Sequence, residues 1–347
     1  MGPAGQHGGM DQDRSAPATG QATMRAIVGR TYGSADVLHL TQLAPPQIAD
    51  NDVLVKVHAA GLDRGTWHLM TGLPYLGRLA LGLRAPKQPV PGLDLAGTVV
   101  AVGAAVTRFE VGDAVFGIGR GSFAQYTAAR EDKLARKPAN LTFEQAAVVP
   151  VSGLTALHGV CDAGRVAAGQ RVLVIGASGG VGTYAVQLAK AFGADVTGVC
   201  STAKVDLVRS LGADHVLDYT KDDFADGAQR YDLVLDIGGR SRLARLRRAL
   251  VSQGTLVIVG GEGGGRLTGG FGRQLRALAL SPFVSQRLTM LLPKEHYADL
   301  ERLSDLIEAG TLAPRIDRTY PLAEAPDAMR HLVAGQARGK ISITIDA

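Results

Sequence analysis

The chain changes rhythm about two-fifths of the way along. From Met24 to about Leu141 the apolar residues come in short runs. Val53, Val55 and Val57 alternate with Leu54, Lys56 and His58, a period of two that predicts a strand over Asp52–Ala59. Met24–Val28 is apolar, and further strands are predicted at Val37–Leu43, Leu93–Val102, Asp113–Ile118 and Ser122–Thr127, with Gly103 and Gly112 marking turns. Many short strands with glycine turns indicate an antiparallel, barrel-like β domain. Gly61–Gly72 interrupts them with polar and aromatic residues, and a long loop with Pro74, Pro86, Pro89 and Pro91 comes next.

Beyond Leu141 strands and helices alternate. Phe143–Pro150 and Thr155–Val160 are alanine-rich and read as helix. Strands are predicted at Val172–Ile175, Asp195–Cys200, His215–Tyr219, Asp232–Ile237 and Thr255–Val259. Helices fall between them at Thr183–Phe192, Lys204–Leu211 and Ser241–Leu250. This alternation implies right-handed βαβ crossovers and a parallel sheet, hence an α/β fold with a doubly wound domain. Gly261–Gly272 reads as a mobile loop, and Tyr297–Ala309 as a helix closed by Gly310. Ile341–Ile345 alternates again and is expected to return to the first domain. The predicted division is an unstructured leader over 1–23, a β domain from 24–145 and 296–347, and an α/β domain over 146–295.

Composition narrows the class. Of 347 residues, 46% are hydrophobic and 20% charged, which suits a globular chain. No apolar run approaches the ~20 residues of a membrane helix, and the N-terminus lacks a basic-then-apolar signal pattern. Two cysteines, Cys161 and Cys200, are too few for a disulfide framework or a thiolate zinc site. A cytoplasmic location is expected, with no membrane partner. The net charge of +5 raises the question of nucleic acid. Yet Arg240, Arg242, Arg245, Arg247 and Arg248 have the spacing of a solvated helix face, with Leu243, Leu246 and Leu250 turned inward. No interleaved aromatics accompany them, so no nucleic-acid partner is expected.

Candidate chemistry begins at Arg171–Gly182, RVLVIGASGGVG. A buried strand feeds a helix through glycines, and a second strand arrives at the expected distance. That is the phosphate-binding corner of a dinucleotide fold, where backbone N–H groups and a helix N-terminus meet a pyrophosphate. Val181, Ala185, Leu188, Ala189 and Phe192 mark the helix's apolar face. The same residues also match GxSxG, the nucleophile elbow of hydrolases, with Ser178 as nucleophile and His215, His296 or His331 as its base. That alternative leaves Gly182 and the second strand unexplained. The second strand ends Cys200-Ser201-Thr202, with Lys204 beyond, and carries no acid. A carboxylate there would hold a ribose 2′-OH, whereas Ser201 and Lys204 suit a 2′-phosphate, so NADP(H) is the expected cofactor. Cys200 is then a small filler.

PGLDLAGTVVAVG (Pro91–Gly103), VGDAVFG (Val111–Gly117), AAVVPVSGLTAL (Ala146–Leu157), GASGGVG and the terminal GKISITI occur in one order. Together they resemble the medium-chain dehydrogenase/reductase superfamily, in its zinc-free quinone oxidoreductase branch, from about Met24 to the C-terminus. The resemblance implies a GroES-like β domain beside a Rossmann domain, with the cofactor in the cleft between them. It implies that Thr155 abuts the nicotinamide and that Ser178, Gly179, Gly180 and Val181 contact the pyrophosphate. Ser201, Lys204 and Tyr219 would surround the 2′-phosphate. Ile237, Gly238, Val259 and Gly260 would lie near the cofactor at the ends of the fourth and fifth strands. A homodimer through the Rossmann sheet edge, at Thr255–Val259 and the residues beyond it, is a further implication.

Zinc-using relatives place ligands where this chain has Asp63, Leu93 with Asp94, and Val151. Leu93 and Val151 cannot ligate, so no metal is expected. Without a Lewis acid, the easier reaction is hydride delivery from NADPH to an acceptor already electrophilic, a quinone or an α,β-unsaturated carbonyl. Asp63–Tyr75 supplies the candidates. Asp63 stands where relatives commonly have Asn or Cys, His68 could donate a proton, and Trp67 and Tyr75 could stack on a planar substrate. Equally, Asp63 could cap a turn or pair with Arg64, and Trp67 could be core. The segments Leu73–Pro91 and Gly261–Pro293, with Phe271, Leu275, Phe283 and Met290, are expected to give the entrance an apolar character. The alternatives are a biosynthetic enoyl reductase or cyclase on the same scaffold, or an NADPH-binding protein with little turnover.

Overall fold

The computed structural model describes residues 2, 23–261, 264–291 and 294–345. The leader expected over 1–23 lies outside these, apart from Gly2 and Thr23, and so do parts of the predicted entrance loops.

The N-terminal half is antiparallel. β1 (Met24–Val28) pairs with β2 (His39–Leu43) in a two-stranded ribbon. β3 (Asp52–Leu62) is the long central strand of the main sheet, and α1 (Arg64–Thr71) comes directly after it. A short α2 (Arg78–Leu81) leads on to β4 (Asp94–Val102), β5 (Ala114–Ile118), β6 (Tyr126–Arg130) and β7 (Leu134–Arg136). α3 (Phe143–Ala147) opens on a capping box made by Thr142 and Gln145, and α4 (Pro150–Leu157) carries the chain across to the second half.

There β8 (Arg171–Ile175), α5 (Gly180–Ala191), β9 (Asp195–Cys200), α6 (Val205–Ser210) and β10 (His215–Asp218) alternate. β11 (Tyr231–Asp236), α7 (Leu243–Arg248), β12 (Leu250–Ile258), α8 (Phe271–Leu280) and β13 (Arg287–Met290) continue the rhythm. All pairings are parallel, in the order β10-β9-β8-β11-β12-β13. This is the doubly wound order, with a switch point beside the first strand. Finally α9 (Tyr297–Glu308), β14 (Ile316–Pro321), α10 (Ala325–Val333) and β15 (Lys340–Thr344) return to the first sheet. β15 lies antiparallel to β3 and extends that sheet to β14-β15-β3-β4-β5-β7, with β6 also on β3.

The central strands β8, β11 and β12 carry apolar runs, Val172–Ile175, Leu233–Leu235 and Leu256–Ile258, because helices cover both faces. α5 packs inward through Tyr184, Ala185, Leu188 and Ala189, while Phe192, beyond its end, is 38% exposed. Fully buried Tyr184 donates its hydroxyl to the Val148 carbonyl at 3.0 Å, which ties α5 to the α3–α4 junction.

Several expectations need correction. Arg64–Thr71 is a helix; only Thr66 and Met70 are buried on it, so its sequence carries little apolar periodicity. The strand expected at Ser122–Thr127 sits at Tyr126–Arg130, because Ser122–Phe123 turn through backbone bonds to Pro91 and Gly92. Phe271, expected in the glycine-rich loop, begins α8. Leu250, expected to end a helix, begins β12. Of the expected edge, Thr255–Ile258 is paired on both sides, and β13 in the residues beyond it is one edge of the parallel sheet, with β10 the other. Among the described residues no helix is long and apolar enough to cross a membrane.

Candidate cofactor and active site

The glycine corner is built by close approach. Gly176, at the end of β8, has φ +91°, a conformation that costs other residues more. A Cβ on Gly182 would stand 2.1 Å from the Gly176 carbonyl oxygen, so the first turn of α5 can touch the strand end only as glycine. Gly179 is the N-cap of α5 and offers no side-chain acceptor. No side chain caps the N–H groups of the first turn, and a pyrophosphate fits this cradle. Ser178 is buried, and its carbonyl accepts the Gly339 N–H at 2.9 Å. For the GxSxG alternative, none of the three histidines is bonded to Ser178. His215 faces Asp195 at 3.5 Å, His331 bonds Asp317 at 2.8 Å, and His296 caps α9.

At the end of β9 the structure gathers Ser201, Lys204 and Tyr219. The Tyr219 N–H donates to the Cys200 carbonyl at 3.0 Å, and its side chain is 60% exposed. The Lys204 ammonium donates to the carbonyls of Gly335 at 2.8 Å and Ala337 at 2.7 Å, and burial lowers its pKa. Arg338 lies alongside and donates to the Ala203 carbonyl. Sequence reasoning missed this second cation, which comes from the C-terminal segment and is placed only by the return of the chain. Asp317 lies close enough to Lys204 to act on its charge, and Asp218 ends β10 beside Cys200. Hydrogen bonds from Thr202 and Thr220 hold the Asp218 pKa down at about 2, so it stays an anion bonded to those groups. Burial pushes the Cys200 thiol up to about 11, which suits a filler and not a nucleophile.

On the other side of β8, the N–H groups of Ile237 and Gly238 both donate to the Ile175 carbonyl, at 3.1 and 3.0 Å. Those of Val259 and Gly260 both donate to the Asp236 carbonyl, at 3.1 and 3.0 Å. The ends of β8, β11 and β12 thus form one continuous wall. Thr155 stands on α4, half-buried, with its hydroxyl on the Val151 carbonyl at 2.6 Å.

Between the two sheets lies a buried polar cluster that the sequence did not announce. The Lys340 ammonium reaches Asp94 at 3.1 Å and the Ser152 hydroxyl at 3.0 Å. The Val151 N–H donates to the other Asp94 oxygen at 2.8 Å. Burial pushes the Asp94 carboxyl up to about 7, against the pull of Lys340. The spacing gives no cue, because 246 residues separate the partners.

The three catalytic candidates lie in different settings. Asp63 caps α1, accepting the Thr66 N–H at 2.8 Å, while its second oxygen is buried without a hydrogen-bond partner. His68 sets Nδ1 2.6 Å from the Leu73 carbonyl, which places a proton on Nδ1. A neutral ring so arranged presents a lone pair at Nε2, and it donates there only as imidazolium. Tyr75 is 41% exposed and covers the Arg78 guanidinium at 4.7 Å. It lines a cavity of about 640 Å³ with Tyr32, Trp67, Met70, Leu73 and Arg78, on which neither Asp63 nor His68 borders. Trp67 also packs against the core of the β domain.

A zinc centre does not fit. At the four positions Leu93 and Val151 have no donor atoms, Asp94 is bound to Lys340, and Asp63 caps a helix. Among the described residues no group of three His, Cys, Asp or Glu is placed to hold a metal.

The alcohol dehydrogenase GroES-like domain matches residues 49–139, and the zinc-binding dehydrogenase domain matches residues 211–343. The chain is 36% identical over 335 residues to 2-methylene-furan-3-one reductase from Solanum lycopersicum, covering 92% of this chain and 79% of that protein. It is 34% identical over 339 residues to the chloroplastic NADPH-dependent alkenal/one oxidoreductase of Arabidopsis thaliana, covering 92% and 79%. The solved quinone oxidoreductase of Coxiella burnetii superposes with a TM-score of 0.84 at 29% identity, over 94% of this chain and all of that one. The two-sheet architecture, the glycine corner at the switch point and these likenesses agree: the chain is an oxidoreductase of the medium-chain dehydrogenase/reductase superfamily, in its quinone oxidoreductase-like branch.

Proposed function

We propose that the protein is an NADPH-dependent reductase of α,β-unsaturated carbonyls, with quinones as further acceptors. The observation that carries the cofactor preference is the end of β9, where Lys204 and Arg338 converge beside Ser201 while Asp218 is bonded to threonines and Asp317 to His331. A 2′-phosphate would meet two cations there, whereas an NAD site needs an acid for the ribose hydroxyl. The substrate class rests on the relatives, one named for alkenals and enones and another for quinones.

Bound NADPH supplies the hydride. The chain's own residues do the rest. The first turn of α5 binds the pyrophosphate through N–H groups. Thr155 and the wall of Ile237, Gly238, Val259 and Gly260 orient the nicotinamide. His68 is oriented by its Nδ1 proton on the Leu73 carbonyl. The exposed Leu76, Leu79, Leu267 and Phe271 make the two lips apolar, which suits an acceptor with little charge.

The test is steady-state NADPH oxidation with trans-2-hexenal and 9,10-phenanthrenequinone. Turnover with the enal, and a lower KM for NADPH than for NADH, are expected. NADPH binding without turnover of either acceptor would replace this reading with that of a cofactor-binding protein.

A further inference from the structure

Arg273 is the third residue of α8, a helix set outside the parallel sheet. Its side chain nevertheless reaches the carboxyl ends of two strands. One Nη bonds the Asp236 carboxylate at the end of β11 and the Ser241 carbonyl at 2.8 Å; the other bonds the Gly260 carbonyl beyond β12 at 2.8 Å. Asp236 is fully buried, and the Arg273 side chain is 11% exposed. The second Asp236 oxygen accepts the Gly239 N–H at 3.2 Å. One planar fork therefore spans both strand ends that wall the proposed nicotinamide site. Lysine could not match it, since a single ammonium lacks the two diverging edges.

A buried ion pair adds little net stability over a well-packed apolar pair, because desolvation offsets the attraction. The more informative feature is where this pair sits. The turns beyond β11 and β12 approach closely enough that a Cβ on Gly260 would stand 2.0 Å from the Ile237 carbonyl oxygen. The gap between the β11 and β12 ends thus depends on carbonyl and carboxylate groups that Arg273 holds together from behind. The adenosine end of the cleft rests on other supports, namely β9, β10 and residues 335–338, on the far side of β8.

We infer that Arg273 is a positioning residue for the nicotinamide half of the cofactor site, acting through Asp236 and the Gly260 carbonyl and touching neither cofactor nor substrate. The inference rests on the reading that NADPH binds in this cleft. It predicts that the two halves of the cofactor respond differently to loss of the fork.

The experiment uses the full chain and two ligands, NADPH and 2′-phospho-ADP-ribose, which lacks the nicotinamide. Binding is measured by calorimetry on wild type and Arg273→Lys, with kcat and KM measured alongside. Arg273→Lys keeps a charge opposite Asp236 and loses the bridge to Gly260. Removal of a charged hydrogen bond corresponds to roughly tenfold in affinity. The expected result is NADPH weakened about tenfold, 2′-phospho-ADP-ribose unchanged within about twofold, and kcat lowered. Equal weakening of both ligands, or no weakening of NADPH, overturns the inference. Should Arg273→Lys fail to fold, Asp236→Asn keeps both carbonyl contacts of Arg273, and the same split in the same direction decides. If wild type binds neither ligand, the proposed function fails instead, and the two failures are told apart by that control.

Discussion

At the scale of the residue, Lys204 shows how position and environment share the work. Its two carbonyl partners, Gly335 and Ala337, belong to the segment that returns from α10. The ammonium is therefore fixed before any ligand arrives, with one of its three protons left to donate. Arg338 beside it supplies a second cation, so the charge that would face a 2′-phosphate does not rest on one side chain. Lys204→Glu places a carboxylate at this corner and repels the phosphate. It is expected to weaken NADPH by about tenfold or more and to leave NADH within about threefold, read from KM values for the two cofactors. Comparable losses for both would mean that Lys204 is only a structural tether. Lys204 was legible in the sequence because it lies just beyond the second strand. Arg338 was not, because its position depends on contacts across 135 residues.

At the scale of the element, the β8–α5 unit was legible almost whole. An apolar strand, a glycine run and an apolar helical face succeed one another locally, and the glycines have a steric reason. Gly182 illustrates it. Its Cβ would collide with the Gly176 carbonyl, so Gly182→Ala must push α5 away from β8. Overpacking of this kind costs about 1–3 kcal/mol. The variant is expected to melt several degrees lower and to bind NADPH more weakly, since the N–H groups of the first turn move with the helix. Calorimetric melting with and without NADPH checks both effects, and an unchanged melting temperature would show that the corner is looser than its contacts indicate. α1 is the opposite case. Asp63 and Gly72 bound it as caps, yet its buried face is only Thr66 and Met70, so period alone gave no helix there. The same cap gives Asp63 a structural task, which the sequence left open beside a catalytic one.

At the scale of the whole molecule, the two sheets meet around Asp94, Lys340 and Ser152. Lys340 on β15 and Asp94 on β4 belong to one sheet, and Ser152 belongs to the helix leading to the other. Gly180, at the start of α5, lies against Lys340: a Cβ there would be 2.9 Å from Cδ. The cluster therefore couples the phosphate helix to the β domain. It also has a pH signature. Folded Asp94 keeps its proton up to about pH 7, whereas an unfolded aspartate releases it near ~3.9. Between those values the folded state binds more protons, so this group's contribution to stability is present below the lower value and is lost as pH rises. Urea unfolding from pH 4 to 8 is expected to show wild type losing stability across that window relative to Asp94→Asn. The absence of any such difference would mean that Lys340 keeps Asp94 ionised throughout.

By itself the sequence determined the alternation of strands and helices, the glycine corner, the missing acid after β9 and the missing zinc donors. These depend on neighbours within a few tens of residues, where periodicity and steric demands are written locally. Tertiary structure alone decided the rest. It brought Arg338 to Lys204, Lys340 to Asp94 and Arg273 to Asp236, and it put Tyr75 on a cavity that Asp63 and His68 do not share. Each of these is a polar contact or a shared wall between segments that local sequence does not connect. Such pairs leave no period and no spacing, because a charged side chain reads as solvated surface until folding buries it against its partner.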